Sequence, residues 1–317
     1  MVSSSEPSSS RVASAESASE PEMDRDQLFP WYFVGAVAVL CGVAVAALAV
    51  LGPLVLGSIE YRTSESGVWQ VEGGDIVNLI LVAPILIIGG VLHLMRRPGS
   101  KYLLVLPPVT LMYNGLSLGI GQEWSDSSYT GNVEQYAWLF LVLLIGGLVL
   151  LVASLSMFST RDTPAFKPKN LRIYVAVMSL FLLLFALMWL SELAGVMSAG
   201  GESLESYNET PTLFWTIRYL DLGITIPLGF MGLYLLLTRP ERSYPLVLLF
   251  FGFFVTLGTS VLSMGIVMTV NDDPGAQAGA LPIFGTLAAL SWVGLLYLLW
   301  DKLPRPSSAA AQTPGRG

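Results

Sequence analysis

From about residue 31 to residue 302 the chain alternates long apolar stretches with short polar turns. The stretches cover roughly 31–57, 75–95, 101–121, 134–158, 171–198, 212–238, 243–270 and 278–302. Each is near or above the ~20 residues that an α-helix needs to cross the hydrocarbon core of a bilayer. The pattern predicts an all-α fold, a polytopic transmembrane bundle of about eight spans. Pro84 and Pro227 fall inside the second and sixth stretches, and Pro107-Pro108 inside the third. Membrane helices tolerate proline, with a kink, because neighbouring groups satisfy the freed carbonyls.

Composition agrees. Hydrophobic residues make up 53% of the 317 and charged residues 12%, against about 25% charged in soluble domains. Mean hydropathy is +0.65. A soluble fold of this size has nowhere to hide so much apolar surface, whereas lipid is itself an apolar solvent. The ends differ. Residues 1–29 are rich in Ser, Ala and Glu, and residues 304–317 are similarly poor in large apolar groups. Neither can bury enough surface to offset its ordering entropy, so both are expected to be disordered tails. The acidic flank and the length of the first apolar run argue against a signal peptide.

Charge sets an expected orientation. With the N-terminus placed in the cytoplasm, every Lys and Arg falls on the inner side except Arg62 and Arg218, as the positive-inside rule asks. The expected location is the cell membrane, multi-pass, with both termini cytoplasmic. The opposite side collects acidic residues, among them Glu60, Glu123, Glu202, Asp272 and Asp273. The balance reads mainly as a solvated outer face.

An internal repeat is visible. NLILVAP at 78–84 and DLGITIP at 221–227 share Asn/Asp-Leu-x4-Pro, an arginine follows each proline at the same spacing (Arg96, Arg239), and KYLLVL at Lys101 then aligns with SYPLVL at Ser243. This suggests two parallel four-helix repeats, 30–160 and 161–303, since an even helix count keeps both copies the same way round.

These motifs carry a resemblance. GGDIVNLILVAPILI at 73–87, the turn RRPGSKYLL, MYNGLSLGIG at 112–121, Asn132 before YAWLFLVLL, Thr212 with DLGITIP, and TRPERSYPL resemble a family of eight-helix prokaryotic integral membrane proteins. The resemblance covers most of the membrane body and neither tail. It implies topology, and neither an activity nor any functional residue.

Polar groups at membrane depth are costly and therefore informative. Asp75 and Asn78 share a helix face, as do Arg218 and Asp221 at the matching positions of the second half; Glu192, Tyr113 and Asn114 lie at a similar outer level. If the helices pack around a common axis, these seven residues converge on an outward-facing pocket for a ligand or ion. Simpler roles are also open: Asp75 as a helix cap, and Arg218 paired with Asp221 one turn away. His93 reads as an interfacial polar residue, Cys41 as a small packing residue, and Gly115-x3-Gly119 as a close helix contact, internal or between copies.

HExxH, GxSxG and Walker loops are not found, no span holds a lysine for a Schiff base, and one histidine with one cysteine gives little basis for a metal site. No cofactor is expected. The expected partners are membrane lipids and a small solute or ion, with homo-oligomerisation open and no nucleic acid. The leading functional expectation is permease-like handling of a small solute or ion. A membrane sensor or assembly scaffold is the alternative, and an enzyme is disfavoured.

Overall fold

The computed structural model describes residues 28–164, 167–199, 204–273, 276 and 280–302. Both expected tails, apart from residues 28 and 29, and Glu202 lie outside the described residues. Among those described the fold is all-helical, and eight helices are long and apolar enough to cross a membrane: α1 Trp31–Leu51, α2 Glu65–Leu94, α3 Ser100–Ile120, α4 Val133–Ser156, α5 Lys169–Ser198, α6 Pro211–Thr238, α7 Pro240–Val270 and α8 Leu281–Lys302. The outward faces are apolar, with Ile80 70% exposed and Ile145 63%. Such faces suit lipid contact.

Two boundaries differ from the hydropathy reading, each for a local reason. α1 stops at Leu51 because Gly52-Pro53 cannot continue it. α2 starts at Glu65 rather than near 75. Its first turns are diluted by Glu65, Glu72 and glycines, yet the Ser64 hydroxyl accepts the Gly67 N–H at 3.2 Å and caps the helix. Asp75 is therefore in mid-helix and caps nothing.

Proline shapes the interiors. Pro107-Pro108 splits α3 into Ser100–Leu104 and Pro108–Ile120. Pro245 leaves α7 unbroken; the Glu241 carbonyl, which loses its donor to the proline, accepts the Thr163 hydroxyl at 3.1 Å instead. In α2 and α6 the helix widens to a π turn just before the proline, at Asn78–Val82 and Asp221–Thr225. Pro84 and Pro227 have no N–H and would collide with the carbonyl four residues back, and the wide turn moves that carbonyl aside.

The neighbours follow one scheme in each half. α1 packs on the later part of α2 and on α4, and α3 packs on α4; likewise α5 packs on α6 and touches α8, and α7 packs on α8. The halves join where the first part of α2 lies along α7, and where α3 meets α6 and α7. Gly73 allows the α2–α7 contact, since a Cβ there would run into the Met264 backbone. Gly115 and Gly119 face Leu144 and Phe140 of α4, so that motif serves internal packing.

The end of the bundle that carries the basic turns holds a buried apolar core. Val105, Leu106, Leu248, Phe250 and Phe251 are buried there, and the Tyr244 hydroxyl donates to the Leu298 carbonyl at 2.8 Å. His93, in the last turn of α2, is 6% exposed, and its Nδ1 lies 3.1 Å from the Ser100 hydroxyl, which the 95–99 turn brings back over it. Arg96 lies over the Trp31 ring, 4.5 Å from its centroid. Asp162 accepts the Lys101 ammonium at 2.7 Å. Burial alone would raise the Asp162 carboxyl, but hydrogen bonds from Lys101 and Ser159 outweigh it and hold the group below the usual carboxylate range.

Candidate functional site

At the other end, two turns build a polar rim. Arg62, in the turn before α2, donates to the Gly131 carbonyl at 2.9 Å and pairs with Glu134 at 2.9 Å. Its carbonyl accepts the Glu123 N–H at 2.9 Å. Glu123 is only 4% exposed, and its carboxylate accepts Thr212 N–H at 2.8 Å, the Thr212 hydroxyl at 2.9 Å and Leu213 N–H at 3.2 Å. A side chain from the turn after α3 thus closes the start of α6, where orphan N–H groups and the positive helix end both favour a carboxylate.

Inside this rim lies a cavity of about 360 Å³, walled by α2, α3, α5, α6, α7 and α8. It extends from Gln70 and Thr269 near the rim to a floor of Thr110, Phe253, Leu257 and Leu287, close to the middle of their helices. All seven polar residues singled out in the sequence, Asp75, Asn78, Tyr113, Asn114, Glu192, Arg218 and Asp221, are on its wall. Much of the remaining wall is large and apolar: Phe185, Met188, Trp189, Phe214, Met264 and Phe284. Cavities of this character take small organic molecules, the apolar wall supplying contact area and a few polar groups setting orientation.

The polar groups are ordered by contacts across helices. Asp221 Oδ1 accepts the Tyr113 hydroxyl at 3.0 Å and Oδ2 accepts the Trp189 indole N–H at 2.9 Å, tying α3 and α5 to the π turn of α6. Asn78, which opens the π turn of α2, accepts the Asn114 amide at 3.1 Å. Arg218 pairs with Glu192 of α5 and not with Asp221. Its guanidinium is held between the Trp189 and Phe214 rings, 4.3 and 3.8 Å from their centroids. Asp75 is 1% exposed and its Oδ2 has no hydrogen-bond partner. Burial, and then the nearby Asp75 charge, push the Tyr61 phenol in the α1–α2 turn well above its ordinary range.

Sequence reasoning missed Trp189 and Glu123. Trp189 sits in an unbroken apolar run where an indole looks like packing, and only its bond to Asp221 shows otherwise. Glu123 looks like one more acidic turn residue; the nearby signal is the start of α6 at Pro211-Thr212, which has no side-chain cap of its own and needs an acceptor from elsewhere. Among the described residues no group of three His, Cys, Asp or Glu side chains could hold a metal ion. Comparisons with protein families, characterised proteins and solved structures returned no match.

Proposed function

We propose that this protein binds a small solute or ion in the cavity beneath the Arg62–Glu123 rim, as a permease-like membrane protein. In this reading the cavity faces outward from the cell membrane, with the basic end and both termini in the cytoplasm. The observation that carries it is the convergence of Asp75, Asn78, Tyr113, Asn114, Glu192, Arg218 and Asp221 on one cavity wall, since polar groups at membrane depth are costly unless used. Duplication of a four-helix unit is part of the proposal. The matching π turns at Asn78 and Asp221 and the matching neighbours within each half support it. It would place the solute between the two copies, where repeat-built transporters bind.

The test is a ligand screen by thermal unfolding of the detergent-solubilised full chain. A solute should raise the unfolding temperature of the wild type, and Asp221→Asn and Arg218→Met should each weaken that shift at least tenfold in solute concentration. Variants that insert normally and respond to the solute as the wild type does would refute the site.

The packed basic half favours a second reading. The cavity is floored at mid-helix by Phe253 and Leu257, over a core of Leu248, Phe250 and Phe251. A sensor that binds a ligand without passing it on needs no more than this. Uptake into proteoliposomes distinguishes the two, since binding without uptake selects the sensor.

A further inference from the structure

The turn after α1 brings unsatisfied oxygens to one buried place behind the cavity wall. Pro53 has no N–H, so the Ala49 carbonyl loses the donor it would have four residues on. The neighbouring carbonyls are served: Leu48 by Gly52 N–H at 2.8 Å, Val50 by Leu56 at 3.1 Å and Leu51 by Ile59 at 2.8 Å. Asp75 reaches the same place from α2. Gly52 shows how close. Its φ of −69° and ψ of −175° suit any residue, so its backbone does not demand glycine. Space does: a Cβ on Gly52 would stand 2.7 Å from Asp75 Oδ2, 2.9 Å from the Leu48 carbonyl and 3.7 Å from the Ala49 carbonyl. Tyr61, in the turn that covers this region, is 5% exposed and its hydroxyl also has no partner.

The geometry points to a monovalent cation site between the C-terminal end of α1 and Asp75, with Asp75 Oδ2 and the Ala49 carbonyl as ligands and the Tyr61 hydroxyl within call. A helix C-terminus carries about half a negative charge. A buried carboxylate against it, with one oxygen unpartnered, is among the costlier arrangements a membrane interior can hold. One positive charge neutralises it, and two would leave an uncompensated excess. Carbonyls at helix ends combined with a carboxylate are how coupling ions are held at membrane depth. Asp75 also lines the cavity. On the proposed solute-binding function, the ion therefore sits one side chain from the solute and is its coupling ion; the site itself stands on its own oxygens.

The test uses the full chain in detergent, with no solute present. Thermal unfolding is followed while choline chloride is exchanged for NaCl, LiCl or KCl at constant ionic strength. Sodium should raise the wild-type unfolding temperature saturably by several degrees over choline. Asp75→Asn should abolish that response, and Gly52→Ala, which puts a methyl group among the oxygens, should raise the half-saturating sodium concentration at least tenfold. A wild type that unfolds at the same temperature in all four salts overturns the proposal, as does an Asp75→Asn protein that still responds. A positive solute screen beside a flat sodium titration would remove the ion and leave the cavity, and the reverse result would do the opposite.

Discussion

Replacing Glu123 by alanine takes away the carboxylate that closes the start of α6. Three donors lose their partner: the N–H groups of Thr212 and Leu213 and the Thr212 hydroxyl, now at 2.8, 3.2 and 2.9 Å. A lost N-terminal cap costs about 1–2 kcal/mol, and removing a negative charge from a helix N-terminus adds about 0.3–1 kcal/mol. Donors left buried without a partner cost about 1–3 kcal/mol each, but Thr212 and Leu213 are only part-buried, so water recovers some of this. The sum is about 2–4 kcal/mol. At roughly 2–4 °C per kcal/mol for chains somewhat smaller than this one, Glu123→Ala should unfold about 4–16 °C below the wild type. Glu123→Gln keeps one acceptor oxygen and should fall between. Thermal unfolding of the full chain in detergent reads the order directly. Combining Glu123→Ala with Thr212→Val should cost less than the two singles added, because they break the same bond. An alanine variant that unfolds within a degree of the wild type would refute the reasoning.

Other outcomes follow from the same contacts. The Arg218–Glu192 side chains are 11% and 24% exposed, so Arg218→Met and Glu192→Gln should each destabilise more than the double variant does relative to either, with a coupling of about 1–3 kcal/mol in a double-mutant cycle; additive losses would deny the pair. Asp162 has its carboxyl held low by Lys101 and Ser159. A depressed folded value means that its stabilisation is present above the unfolded value of about 3.9 and is lost as pH falls through the folded one. An unfolding series below pH 5 should therefore show a loss in the wild type that is smaller in Asp162→Asn. Gly73→Ala drives a methyl group into the Met264 backbone and should cost about 1–3 kcal/mol by overpacking, read as a lower unfolding temperature; an unchanged value would mean that α2 and α7 slide apart freely.

Much of the architecture was legible because lipid imposes a simple demand: apolar stretches of about 20 residues mark the spans. Hydropathy erred where polar residues are helical, as in the Glu65–Gly74 start of α2, because it measures solvent preference and not backbone conformation. The convergence of Asp75, Asn78, Arg218 and Asp221 could be anticipated from spacing along a helix, since the residues of each pair lie three apart. Their partners could not. Arg218 takes Glu192 from α5 instead of Asp221 one turn away, a choice set by how α5 and α6 cross. Neither the Asp221–Trp189 bond nor the burial of His93 under Ser100 leaves a mark on periodicity, because each depends on contacts between separate helices.

The wide turns at Asn78–Val82 and Asp221–Thr225 have a consequence for how these two spans can change. Every residue of an α-helix advances the direction of its side chains by about 100°, and a π turn holds one residue beyond the α-helical number. Each of the two spans is thus two rods joined through a turn that absorbs one extra residue. Deleting that residue would let the turn close to a plain α-helix with both rods still in phase, whereas a deletion between the wide turn and Asp75 or Arg218 would swing that side chain by about 100°, from the chamber toward the lipid. The wide turns are therefore the places in these two spans where a codon can be lost without a change of facing.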